Sequence, residues 1–157
     1  MIGGTLFGTT SNGGVNGDGT VFSLKLSDST FATLASFNGT NGAGSFSPLT
    51  ASGDGTTLYG ATFVGGASNE GAVFSLSVNG GAITSFASFN TTNGENPRGD
   101  LALSGDGRTL YGTTESGGTH SEGTVFSVPI PAPEPGSAAL LLTGLLAVAA
   151  RRRRAAI

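Results

Sequence analysis

Apolar and polar residues alternate along most of the chain in short runs, a period of two that predicts β-strands rather than helices. Between residues 48 and 89 four such runs follow one another: Pro48–Ser52, Thr57–Thr62, Gly71–Val78 and Ala82–Phe89. Turn chemistry separates them. Gly53-Asp54-Gly55 supplies the dihedrals of a tight turn, Gly65 to Gly71 is a longer glycine-rich connection, and Asn79-Gly80-Gly81 reads as a short hairpin loop. In the third run alternation puts Phe74, Leu76 and Val78 on one face; in the fourth it puts Ile83 and Phe89 on one face and Phe86 on the other. Large apolar groups on both faces predict a small sheet covered on both sides.

The pattern returns every 52 residues. Leu6-Phe7-Gly8, Leu58-Tyr59-Gly60 and Leu110-Tyr111-Gly112 keep this spacing, as do Gly19-Thr20-Val21-Phe22, Gly71-Ala72-Val73-Phe74 and Gly123-Thr124-Val125-Phe126. Aligning residues 3–54 on 55–106 without a gap gives 23 identities over 52 positions, so the copies are 3–54, 55–106 and a partial 107–128. Four antiparallel strands per copy, each unit covered by its neighbours, predict an all-β, β-propeller-like fold. About two and a half repeats would make that propeller incomplete, since a closed one uses about 4–8 blades. A solenoid of stacked antiparallel sheets is the alternative.

The run Leu110-Tyr111-Gly112-Thr113-Thr114, the Gly-Gly pairs, Gly-Thr-Val-Phe-Ser, Ser-Phe-Asn and Gly105-Asp106-Gly107-Arg108 together resemble the GloVer tandem repeat of bacterial surface proteins. The resemblance covers residues 3–128 and implies an exported, surface-associated repeat protein with interchangeable C-terminal anchors. It implies no particular chemistry.

Beyond the repeats the alternation stops. Residues 129–136 form a proline-rich linker, 137–150 an apolar segment without charge, and 151–157 a basic end. From Gly136 to Ala150 a helix would span about 22 Å, short against a hydrocarbon core of about 30 Å. Snorkelling arginines and local thinning make up the difference. Arg151, Arg152, Arg153 and Arg154 mark a cytoplasmic membrane stop by the positive-inside rule. Pro133-Glu134-Pro135, the apolar run and the arginines, in that order, resemble the PEP-CTERM sorting signal that exosortases process. The resemblance implies a C-terminal transmembrane helix, with the membrane and an exosortase-type enzyme as partners.

Composition sharpens this picture in three ways. Gly is 28 of 157 residues and charged residues are 11%, as expected for short strands joined by tight turns. There is no Cys, which excludes disulfides and thiolate chemistry. Residues 1–132 carry nine acids and three bases (Lys25, Arg98 and Arg108), a net charge of −6 with no basic patch for nucleic acid. The opening residues, Met1-Ile2-Gly3-Gly4, enter repeat sequence without a basic or apolar leader, so an exported form is expected to begin further upstream.

Candidate chemistry is sparse. His120 lies in a glycine-rich loop and its counterparts are Asn16 and Ser68, which makes it an exposed loop residue. Asp18, Glu70 and Glu122 share one repeat position, and Asp54 and Asp106 another. Such acids suit Ca²⁺ or, as preferred here, turn formation and solubility. Asn38 and Asn90 sit in glycosylation-type triplets, and Tyr59 and Tyr111 are expected to pack inside. Neither a catalytic residue, a metal site nor a cofactor is assigned. The expected function is a non-enzymatic adhesion or interaction role at the cell surface or in the extracellular matrix. The alternative is a propeller enzyme or lectin acting on extracellular polysaccharide.

Overall fold

The computed structural model describes residues 1–132. Eleven strands follow in order: β1 (Thr5–Thr10), β2 (Thr20–Lys25), β3 (Thr30–Ser36), β4 (Thr50–Ala51), β5 (Thr57–Thr62), β6 (Ala72–Ser77), β7 (Thr84–Ser88), β8 (Glu95–Pro97), β9 (Ala102–Leu103), β10 (Thr109–Ser116) and β11 (Val125–Pro129). They form three antiparallel sheets. The first is β1-β2-β3, the second β4-β5-β6-β7, and the third β11-β10-β8 with β9 also pairing β10.

The predicted runs of the middle copy become β4 to β7 with small changes at their ends. The all-β expectation holds, and the 52-residue repeat is visible in the register. Gly8 faces Phe22, Gly60 faces Phe74 and Gly112 faces Phe126. The second sheet is covered on both faces, as its two-sided apolar pattern requires. One core joins Val21 and Phe37 of the first copy to Phe74, Leu76 and Ile83 of the second. The other joins Tyr59, Val73 and Phe89 to Leu101 and Leu110. Edge-to-face aromatic pairs repeat across the seams: Phe37 with Phe74 at 5.0 Å and Phe89 with Phe126 at 4.8 Å.

Two expectations are corrected. Propeller blades are not formed: the sheets are separate, the first has three strands instead of four, and none closes into a barrel or curls as a blade. The outermost strands β4 and β9 are two residues long, too short to carry a fourth full ladder. What joins the sheets is face packing and single bridges such as Ala43 to Val64.

The second correction concerns alternation in β7. Val73 pairs with Ala87 but Phe74 with Ser85, so Phe86 is an extra residue in the ladder. Leu34 is the matching extra residue in β3, between Ala35 opposite Val21 and Thr33 opposite Phe22. A bulge reverses the parity of everything beyond it. Ile83 and Phe89, assigned to one face by strict alternation, therefore enter different cores.

Among the described residues there is no helix, and hence none long and apolar enough to cross a membrane. The apolar segment 137–150, the sorting motif Pro133, Glu134 and Pro135, and Arg151, Arg152, Arg153 and Arg154 lie outside the described residues.

Candidate functional site

Repeat symmetry offers a way to find a site: residues that build the scaffold recur, and residues that serve something else need not. Two of the positions that change class from copy to copy meet in space. One holds Ser11, Phe63 and Glu115; the other holds Phe46 and Arg98. The fold brings four of these five side chains together. The rings of Phe46 and Phe63 meet edge to face at 5.6 Å. The Arg98 guanidinium carbon lies 4.8 Å from the Phe63 ring centre and 5.2 Å from that of Phe46. Its Nη1 reaches Glu115 Oε2 at 3.4 Å.

The local chain explains the placement. Asn96 sits two residues before Arg98 in a left-handed conformation (φ 56°), which turns the segment back over the second sheet. Its backbone N–H donates to Glu70 O and its Nδ2 to Phe63 O, each at 2.9 Å. Arg98 is thereby held against Phe63. The cluster stays open to solvent, with Phe46 53% exposed. A cleft of about 250 Å³ beside it is lined by both phenylalanines, Asp18 and Asn12. An aromatic pair, one ring exposed and one half-buried, capped by arginine is the composition of a binding hot spot.

A second concavity follows the seam between the second and third sheets. Tyr59, Ser75, Thr84, Phe86, Asp54 and Asp106 line a groove of about 570 Å³. Its counterpart one repeat earlier, of about 350 Å³, has Ile2 in place of Asp54 and Phe7 in place of Tyr59. Only the second groove thus pairs a phenol with carboxylates. Burial and the nearby charge of Asp54 push the Tyr59 hydroxyl above its ordinary value. Asp54 is held low by the Ser52 hydroxyl and the Thr56 N–H, and Asp106 by the Ser104 hydroxyl and the Arg108 N–H. A carboxyl so held is ionised at neutral pH and its oxygen is already engaged by its own turn, so it suits a turn better than proton transfer.

The remaining candidates fall apart in space. Asp54 Oδ1 accepts from Ser52 Oγ at 2.6 Å and from Thr56 N at 3.1 Å, and Asp106 repeats this with Ser104 and Arg108. Among the described residues no three metal-ligating side chains converge. His120 is exposed in its loop, Glu122 is exposed, and Asp18 and Glu70 are half-buried at separate sheet ends. Asn38 and Asn90 use their carbonyl oxygens to cap their own turns, through Asn41 N and Asn93 N. Tyr59 is buried as expected, but Tyr111 is 46% exposed because no described sheet follows the third.

Residues 2–137 match the Gloeobacter/Verrucomicrobia repeat. The chain belongs to that repeat family. The match to the Gloeobacter/Verrucomicrobia repeat spans all three sheets. No curated protein matches the chain. A solved structure from Bacteroides fragilis NCTC 9343, titled as a 6-phosphogluconolactonase assignment, is similar at 16% identity and a TM-score of 0.43. The alignment covers 83% of this Gloeobacter/Verrucomicrobia repeat chain and 38% of that one, so this chain spans well under half its length.

The Phe46–Phe63–Arg98–Glu115 cluster is not legible as a site from any one copy. Its signal lies in the difference between copies, at the position shared by Phe46 and Arg98 and at that shared by Ser11, Phe63 and Glu115. What sequence lacks is that residue 98 folds back beside residues 46 and 63.

Proposed function

We propose that this is an exported bacterial surface protein whose repeats serve a binding role and whose residues 133–154 act as a PEP-CTERM-like sorting signal. The observation that carries the binding role is the cluster of Phe46, Phe63 and Arg98, open to solvent at Phe46 and Arg98, where the repeat departs from its own symmetry. A cation over two rings, beside a cleft that contains Asp18 and Asn12, suits a protein or glycan partner offering both an apolar face and polar edges. The sorting role rests on the order of Pro133-Glu134-Pro135, the apolar run and Arg151 to Arg154.

A lectin or enzyme acting on extracellular polysaccharide is the second reading. It is favoured by the groove in which Tyr59 stands beside Ser75, Thr84 and two carboxylates, a mixture of aromatic face and hydroxyl donors that fits a sugar. One experiment separates the readings and tests the tail. The full chain, given a signal peptide, is expressed in an exosortase-bearing host, and its retention on the envelope is compared with Arg98→Ala, Tyr59→Phe and an alanine replacement of Pro133-Glu134-Pro135. Loss of processing with the last variant and loss of envelope binding with Arg98→Ala is the expected result. Unchanged processing removes the sorting role, and loss of binding confined to Tyr59→Phe favours the groove.

A further inference from the structure

The two seams of the stack share one register, and the first of them lacks a hydrogen-bond donor that the second has. Gly44 N–H donates to Asp18 O in the first seam and Asn96 N–H to Glu70 O in the second, each at 2.9 Å. Gly44 and Asn96 hold the same repeat position, at φ 60° and 56°. In the second seam the Asn96 side chain also donates, from Nδ2 to Phe63 O at 2.9 Å. The matching carbonyl in the first seam is Ser11 O. A Cβ on Gly44 would stand 4.0 Å from it, but glycine brings no amide, and no donor among the described residues takes its place.

Neighbouring positions have changed in the same sense. Ser116 Oγ donates to Glu95 Oε2 at 3.3 Å in the second seam, and the counterparts of this pair are Val64 and Ala43. Side chains that fill the second seam are thus small or apolar in the first, and there the cleft of about 250 Å³ lies. All its walls come from residues 11–18, 43–46 and 63–64, so the first two sheets form it by themselves. Asp18 adds a carboxylate that takes part in neither of the two ion pairs among the described residues.

We infer that this cleft binds a sugar residue bearing an acetamido group, an N-acetylhexosamine within a glycan. The Asn96 side chain is the internal template: the acetamido N–H takes the place of its amide and donates to Ser11 O. The acetamido methyl packs against Phe46 and Val64, and ring hydroxyls donate to Asp18, an acceptor-only group when ionised. Size favours a sugar over a protein. The cleft, about 250 Å³, falls below the roughly 300 Å³ at which drug-sized pockets begin, whereas a stable protein interface buries about 800 Å² on each partner. The inference rests on the binding role proposed for the Phe46, Phe63 and Arg98 cluster and names its ligand.

Titration of the isotope-labelled full chain in detergent micelles tests it, with backbone amide resonances as the readout. The probes are N,N′-diacetylchitobiose and cellobiose, which share their linkage and differ in the acetamido groups. The first should shift the amides of Asn12, Asp18, Gly44 and Val64 and bind about tenfold more tightly than the second, the worth of one hydrogen bond to an otherwise bare carbonyl. Gly44→Asn copies Asn96 into a place with room for its Cβ and a φ that asparagine adopts readily. It should weaken diacetylchitobiose binding about tenfold, because the chain then supplies its own amide, while resonances away from the cleft stay in place. No shift with either probe, equal affinity for the two, binding undiminished by Gly44→Asn, or shifts gathered at Tyr59 and Thr84 would each overturn the assignment. In that event, envelope retention that still depends on Arg98 would leave the binding role standing with a protein as partner. Retention insensitive to Arg98→Ala would remove the binding role itself.

Discussion

The Phe74 ring lies across Gly60, its register partner on the neighbouring strand, so closely that a Cβ on Gly60 would stand 2.6 Å from Phe74 Cζ. The arrangement recurs at Gly8 with Phe22 and Gly112 with Phe126, at 2.6 and 2.5 Å. The glycine is a slot for the ring, which explains why Leu-Tyr-Gly and Gly-x-Val-Phe travel together through the repeat.

Gly60→Ala should therefore destabilise by about 1–3 kcal/mol through overpacking. Phe74→Ala should cost about 3–5 kcal/mol, because the ring is fully buried between two sheets. In the double variant the alanine at 60 fills part of the space left by the ring, so the combined loss should be smaller than the sum. Urea denaturation of the four proteins measures this, and strict additivity would disprove the slot.

Ser47 is 2% exposed and its Oγ has no hydrogen-bond partner among the described residues. Ser47→Ala removes an unsatisfied buried hydroxyl at little cost in volume. It should raise stability by about 1 kcal/mol. A fall in the urea midpoint would show that the hydroxyl has a partner after all.

Asn96 supplies a left-handed turn and two hydrogen bonds to Glu70 and Phe63 at the end of the second sheet. Its counterpart is Gly44, also left-handed at φ 60°. Asn96→Gly should lose only the side-chain bond, about 1 kcal/mol, whereas Asn96→Val adds backbone strain of about 1–3 kcal/mol. Equal losses would place the whole effect in the amide.

Acid should weaken the fold through the paired turns. Asp54 and Asp106 are held below their ordinary value of 3.8 by neighbouring hydroxyls and N–H groups. A lowered folded pKa favours the native state above the unfolded value, and that contribution fades as pH falls through the folded pKa. The urea midpoint of the wild type should thus decline below pH 3.8 more steeply than that of the Asp54→Asn, Asp106→Asn protein. Parallel curves would mean that these turns are not linked to folding.

Strands, turns and period were legible because each depends on local chemistry repeated three times: alternation, Asp-Gly and Asn-Gly turns, and the spacing of Gly60 to Phe74. The bulge at Phe86 was not, since an extra residue in a ladder is defined by the partner strand and leaves no mark in a run of alternating residues. That single residue moved Ile83 and Phe89 to opposite cores. Sheet association was also misjudged. Period and strand count are shared by several repeat architectures, and what distinguishes them is the packing of one sheet on the next, carried by contacts such as Asn96 of β8 to Phe63 just after β5, across 33 positions. The Arg98 cluster was hidden for the same reason, with its members drawn from two different copies and from a third partial one.

The groove beside Tyr59 is the joint product of two neighbouring sheets, with walls from the second and a rim from Asp106, Gly107 and Ile130 beside the third. Its inheritance is accordingly unusual. Duplicating one copy creates a new groove without any new residue, and a point change in one copy can alter what that copy offers to either neighbour. Variation among nearly identical units is then combinatorial: the order in which copies are joined, as well as their content, determines which surfaces the protein presents.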